Sequence, residues 1–243
     1  MTIDKALFDQ MTSQPVRASG SKTIRPSHAA TLILIQHDLD GPKVLMGRRR
    51  ENLTFMGGKW VFPGGKVDRA DYGAVAATEL EPEEARRLSL NIARNSPTRL
   101  ARGLAMAAIR ETFEEAGLLL AKPTTTMTAG GPWQAFNAQG ALPDLAALSF
   151  IARAVTPPYR PRRFDARFFL ADAARLLRPE PCEVCGELET LAWIGLDETD
   201  EIDLPAVTRF VLRAVKLRQT QPALPVTTLR LHRGAPKVDQ LIG

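Results

Sequence analysis

The stretch RETFEEAG, residues 110–117, places Glu111, Glu114 and Glu115 within five positions. On a helix, positions i, i+3 and i+4 share one face. The flanking apolar residues Ala105, Met106, Ile109, Phe113 and Ala116 fall on the other face as a core stripe. Like charges at this spacing repel by about 0.2–0.5 kcal/mol per pair. The helix dipole also disfavours anions near its C-terminal end. A face selected for stability alone would carry Lys or Arg here. A bound hard cation reverses the sign of the cost, and Mg²⁺ is commonly held by a few carboxylates together with substrate phosphates. The plainer reading is a solvated acidic face with Arg110 as local counter-ion.

A second set of residues lies upstream, at FPGGKVDRAD, residues 62–71. Gly64 and Gly65 open backbone conformations closed to other residues and let another group approach closely. Asp68 reads as a residue shaping the turn, and Asp71 as an acid near the glutamates. Residues 43–69 carry seven Lys/Arg against two acids. Among them Arg49 is the candidate contact for a substrate phosphate, with Arg48 and Arg50 alternating to the opposite face of a strand.

These groups need a scaffold, and the pattern supplies one. Residues 29–38 read as a buried strand, 43–50 as a second beyond the Gly41-Pro42 turn, and KWVF as a third before a Pro63-Gly64-Gly65 turn. Residues 81–94 read as a helix entered through Pro82. The glutamate helix starts near Ser96, Pro97 or Thr98 and stops at Gly117. Strands return at LSFIARAV, RRFDARFFLA and ETLAWIGL, with a helix over 204–218. Strands interleaved with helices predict an α/β domain. The expected division is an N-terminal arm over 1–25, a domain over 26–220 with a helical insert at about 72–102, and an extended tail over 221–243.

The 243 residues suffice for a real core. A net charge of +5 suits anionic partners without choosing among them. No signal-peptide pattern or apolar run long enough for a membrane span is present, so a soluble, cytoplasmic protein with no membrane partner is the expectation. Cys182 and Cys185 read as an ordinary loop pair, since no second pair completes a zinc site. The basic run YRPRRFDAR reads as solvated charge ahead of a substrate contact or a dimer contact. Trp133 and Phe136 read as a satellite apolar cluster, or as a loop that stacks on a base or covers the site.

Gly65, Asp71, Arg110-Glu111 and Glu114-Glu115-x-Gly117-Leu118 together resemble the signature of the Nudix hydrolases. Asp71 takes the place of the first signature Glu, and Thr112 sits where an aliphatic residue is usual. The gap from Asp71 to Arg110 is 38 residues (72–109), where the common signature has seven. A surface insertion adds little loop-closure cost. The long gap, residues 44–65 and RRFDARFF (162–169) are similar to the peroxisomal coenzyme A diphosphatase branch. Gly58 and Phe62-Pro63-Gly64-Gly65 fit the end of a coenzyme A motif, whereas Thr54 stands where that motif has Arg.

The resemblance implies an α/β/α sandwich with a mixed central sheet. It also implies Mg²⁺- or Mn²⁺-dependent cleavage of a diphosphate in a nucleotide-linked small molecule, coenzyme A or acyl-CoA first. Alternatives are ADP-ribose or NADH, or a non-catalytic nucleotide- or nucleic-acid-binding module. Nucleic acid is not expected as a partner, because no RNA-reading aromatic pattern is present; a homodimer is open to it. Glu111, Glu114, Glu115 and Arg110 are the implied catalytic residues. Glu111, Glu114, Glu115 and the later Glu187 are the implied metal ligands, and Arg49, Gly64 and Gly65 the substrate contacts.

Overall fold

The computed structural model describes residues 24–52, 57–90, 92, 97–126, 131–158, 160–181, 188–232 and 235–241. The expected N-terminal arm, Thr54, Cys182, Cys185 and Glu187 lie outside these residues, except that residues 24 and 25 of the arm are included.

The first strand, β1 (Ser27–Asp38), is an apolar run buried on both sides. Leu32 and Leu34 enter one core layer, and Ile33 and Ile35 the other. Gly41, at φ 106°, turns the chain into β2 (Gly41–Arg49), which pairs antiparallel with β1. Two short strands follow, β3 (Trp60–Val61) and β4 (Gly64–Lys66). The Gly64-Gly65 segment is therefore not the expected turn. It is extended and pairs with β1, Ala30 opposite Gly65, and neither glycine has a positive φ.

After a single-turn helix at Ala70–Tyr72 come α1 (Pro82–Ser89), shorter than the expected 81–94, and α2 (Pro97–Ala116). Gly117 ends α2 at φ 69°, its N–H returning to the Phe113 carbonyl. The chain continues through the small hairpin of β5 (Ala121–Pro123) and β6 (Ala141–Pro143), which flanks α3 (Gln134–Asn137). Then follow β7 (Ser149–Val155), β8 (Phe164–Asp172), β9 (Leu188–Gly195) and α4 (Ala206–Thr220).

The expected C-terminal tail is instead a hairpin, β10 (Val226–His232) and β11 (Ala235–Leu241). Its prolines left the alternation of Leu229 and Leu231 with polar residues easy to overlook, although Pro is tolerated on an edge strand such as β11.

The main sheet runs β11-β10-β7-β8-β1-β2-β3, with β4 also on β1 and β9 also on β2. It is mixed, since β1 with β8 and β7 with β10 are parallel pairs. One face packs on α2 through Leu32, Leu45, Phe150 and Phe169. The other packs on α4 through Ile33, Val44, Met46, Phe210 and Val215. This is an α/β/α sandwich. Among the described residues no helix is long and apolar enough to cross a membrane.

The segment between Asp71 and α2 is pinned to the core. Leu88 of α1 is buried in the α2 layer. Thr78 donates its hydroxyl to Asp144, and Glu84 accepts the Phe150 N–H. A mid-helix glycine is unfavourable by about 1 kcal/mol against Ala, yet Gly103 has a reason. A Cβ there would stand 2.8 Å from the Tyr72 ring, so Gly103 lets the chain leaving Asp71 lie against α2.

The YRPRRFDAR run is only partly solvated: Arg162 is exposed and Arg163 half-buried. Arg160 and Arg167 are buried, and Asp165 takes both Arg153 (2.8 and 2.9 Å) and Arg167 (2.7 Å). Burial opposes the Asp165 charge, but the two guanidiniums outweigh it and hold the carboxyl below its ordinary 3.8. The resulting stability is complete above pH 3.8 and is lost as pH falls through the lower folded value. Asp165→Asn should therefore cost about 3 kcal/mol at neutral pH, with the difference from wild type narrowing below pH 3.8. Urea denaturation across pH measures this.

Candidate active site

The site forms where the C-terminal turn of α2 meets β4. Gly65 lies against Glu111: a Cβ there would come within 2.4 Å of the carboxylate. Gly64 lies against β1, where a Cβ would meet the Ala30 carbonyl at 2.7 Å and the Thr31 Cα at 2.8 Å. The same Gly64 donates its N–H to Glu115 at 2.9 Å. The two glycines thus serve close approach rather than unusual backbone angles. Gly65 makes room for one glutamate, and Gly64 holds another.

Arg110 is the centre of the cluster. Its Nε and Nη2 donate to the two oxygens of Asp71 at 2.9 and 3.0 Å. Nη2 also reaches the Lys66 carbonyl at 3.0 Å, and Nη1 is shared between Glu111 (2.9 Å) and Glu114 (2.8 Å). The bidentate bond of Arg110 is thus made to Asp71, while each glutamate takes a single bond. Burial works against the guanidinium charge, but Asp71, Glu111 and Glu114 outweigh it and raise its pKa. Burial raises the Glu111 and Glu114 carboxyls above the usual glutamate value, with Arg110 pulling the other way.

Asp71 has no solvent exposure. It also accepts the Trp133 indole N–H at 3.1 Å and the Asp68 backbone N–H at 2.7 Å. Asp68 accepts the Ala70 N–H and so shapes this turn. Trp133 and Phe136 are buried in the α2 core layer, edge-on to one another, with Phe136 edge-on to Phe113. They do not form a separate cluster or a cover. The sequence reading missed Trp133 as an anchor, although a buried indole N–H usually needs an acceptor.

The glutamate helix differs from the expected two-faced helix. Ala107, Ala108, Arg110 and Thr112 are buried along with the stripe, and Glu111, Glu114 and Glu115 are only partly exposed. The acidic face is therefore only partly solvated, chiefly at Glu114, with Arg110 as its counter-ion. Arg49 lies on β2 in alternation with Leu45, on the sheet face that carries α2; Arg48 turns to Glu51 and the Gly58 carbonyl.

Among the described residues, no three His, Cys, Asp or Glu side chains form a ready group for a metal. Glu111 and Glu114 are turned onto Arg110, and Glu115 onto Gly64. The donor chemistry nonetheless fits Mg²⁺ or Mn²⁺. It is all carboxylate oxygen, Arg110 Nη1 bonds one oxygen each of Glu111 and Glu114, and Gly65 leaves Glu111 the space that a side chain would fill.

No family model matches the chain. Among solved structures, a Nudix hydrolase from Alicyclobacillus acidocaldarius is 28% identical, covering 81% of this chain and 96% of that one at a TM-score of 0.58. RenU, a Nudix hydrolase from M. smegmatis, is 18% identical, with 90% and 98% covered at 0.41. A MutT protein from Bacillus halodurans is 16% identical, with 88% and 97% covered at 0.48. The first of these carries the assignment. The mixed sheet between two helical layers is the Nudix hydrolase fold. With the carboxylates gathered at Gly64 and Gly65, the chain is an enzyme of the Nudix diphosphohydrolase type.

The two glycines should respond differently to alanine. Gly64→Ala meets backbone and should lower stability by about 2 kcal/mol. Gly65→Ala meets only the end of a flexible side chain and should stay within about 1 kcal/mol of wild type, while displacing Glu111 in a crystal structure. Asp71→Asn removes the buried counter-ion of Arg110 and should cost about 3–5 kcal/mol. Equilibrium denaturation reads all three.

Proposed function

We propose that the protein is a metal-dependent hydrolase of a diphosphate linkage in a nucleotide-linked small molecule, coenzyme A or acyl-CoA first. The observation that carries this reading is the closure of one site across a 38-residue gap (72–109). Asp71 and Gly64-Gly65 upstream meet Arg110, Glu111 and Glu115 downstream.

Glu111, Glu114 and Glu115 would hold Mg²⁺ or Mn²⁺, with Glu187 as a further ligand from outside the described residues. When bound, the cation neutralises the diphosphate oxygens and lowers the pKa of the attacking water. Arg110 orients Glu111 and Glu114 while staying tied to Asp71, so neither glutamate is free to splay outward. Gly64 fixes Glu115 by its N–H. Gly64 and Gly65 also present a side-chain-free edge to substrate, and Arg49 extends a cation along the same sheet face toward the phosphates.

Support for a coenzyme A substrate lies in the long signature gap and in residues 44–65. RRFDARFF lends less to it, because Arg163, Asp165 and Arg167 have structural partners here. Thr54, where the coenzyme A motif has Arg, favours the second reading of another nucleoside diphosphate derivative such as ADP-ribose or NADH. The retained glutamates speak against a non-catalytic module.

With Mg²⁺ or Mn²⁺, coenzyme A should be cleaved to 4′-phosphopantetheine and adenosine 3′,5′-bisphosphate. Glu115→Gln should suppress turnover by orders of magnitude while remaining folded. A panel of coenzyme A, acyl-CoA, NADH, ADP-ribose and nucleoside triphosphates, resolved by chromatography, tests this. Cleavage of NADH or ADP-ribose alone moves the assignment to the second reading. No cleavage across the panel, or full activity in Glu115→Gln, would falsify the mechanism.

A further inference from the structure

A row of paired residues crosses the sheet from the carboxylate cluster. Gly65 is opposite Ala30, Ala30 beside Arg167, Arg167 opposite Arg153, Arg153 beside Thr228 and Thr228 opposite Asp239. All lie on the sheet face that carries α2. With strands about 4.8 Å apart, Arg153 stands roughly 14 Å and Thr228 roughly 19 Å from Gly65 along the row.

At the far end is a cavity of about 650 Å³ between β7, the turn after it and the β10–β11 hairpin. That volume lies within the range of small-molecule sites. Its cations are Arg153, Arg163 and Arg230, and Asp239 is the one acid among the described lining residues. Val155, Pro157, Pro158 and Leu241 give it an apolar wall.

Three details mark this as more than packed surface. Arg163 bonds only carbonyls, those of Thr156 and Ile24, so no carboxylate neutralises it among the described residues. Arg153 spends Nε and Nη2 on Asp165, and Arg230 spends Nε and Nη2 on Asp239; Nη1 of each takes part in neither pair. Thr228 is only 6% exposed, and its hydroxyl has no hydrogen-bond partner. A buried hydroxyl left unpaired is unusual in a folded protein and calls for an explanation.

We propose that this cavity is a second binding site, separate from the carboxylate cluster, for a phosphomonoester carried on an apolar or aromatic body. Arg153 and Arg230 are paired with Asp165 and Asp239, which leaves Arg163 as the lining guanidinium bonded to no carboxylate among the described residues, and the forked donors of all three suit phosphate oxygens. On binding, Thr228 turns its hydroxyl, closed off from solvent in this structure, to the phosphate, and the proline wall takes the apolar body. This site does not depend on the hydrolase reading.

Phenyl phosphate, inorganic phosphate and benzoate serve as probes, titrated calorimetrically into the full chain in EDTA, so that no divalent cation recruits phosphate to the glutamates. Phenyl phosphate should bind more tightly than either of the others. Its affinity should fall at least fivefold in Thr228→Val and in Arg230→Gln, and stay unchanged in Glu115→Gln. Thr228→Val keeps the side-chain shape and should keep the melting temperature, so its effect cannot be assigned to unfolding. Absence of phenyl phosphate binding at 10 mM overturns the proposal. So does equal affinity for benzoate, unchanged affinity in Thr228→Val, or loss of binding in Glu115→Gln.

Discussion

The buried contact between Arg110 and Asp71 is the constraint on which the site depends. A guanidinium at 4% exposure needs its counter-charge close at hand. Asp71 meets that need bidentately, so the position of β4 and its following turn is locked to the last turns of α2. Once that lock is made, Gly65 is against Glu111 and Gly64 within reach of Glu115. The third nitrogen of the same guanidinium gathers Glu111 and Glu114. One cation therefore both closes the fold at this point and keeps three carboxylates in one place.

The long segment between Asp71 and Arg110 is compatible with this lock because it is docked. Gly103 admits Tyr72 immediately after Asp71, Leu88 enters the core, and Thr78 and Glu84 are pinned to Asp144 and β7. The chain thus leaves and re-enters the site along surfaces that are already packed. Trp133 braces Asp71 from the other side, which links α3 to the same carboxylate.

Much of the fold was legible from periodicity. The double-sided burial of β1, the limits of α2 at Pro97 and Gly117, and the strands β7 to β9 each carry a local signature that tertiary packing then follows. The C-terminal hairpin was not legible, because its prolines read as breakers and its partner β7 is distant in sequence. For the site, the glutamate spacing was visible, but its environment was not. Burial of Arg110 and Thr112 depends on α2 being covered on more than one side, which a single helical stripe does not reveal. The extended conformation at Gly64-Gly65 likewise follows from pairing with β1, where the local sequence suggested a turn. The structural role of Arg163 and Arg167 was hidden for the same reason: a run of charges gives no sign of which carboxylate or carbonyl it will meet.

The central proposal is that these three glutamates, two held by Arg110 and one by the Gly64 N–H, bind a divalent cation. Anomalous diffraction from a crystal equilibrated with Mn²⁺ tests it most directly. The account predicts an Mn²⁺ peak within about 2.6 Å of carboxylate oxygens from at least two of Glu111, Glu114 and Glu115. Saturating Mn²⁺ with no peak at these carboxylates, or with a peak only elsewhere, would contradict it.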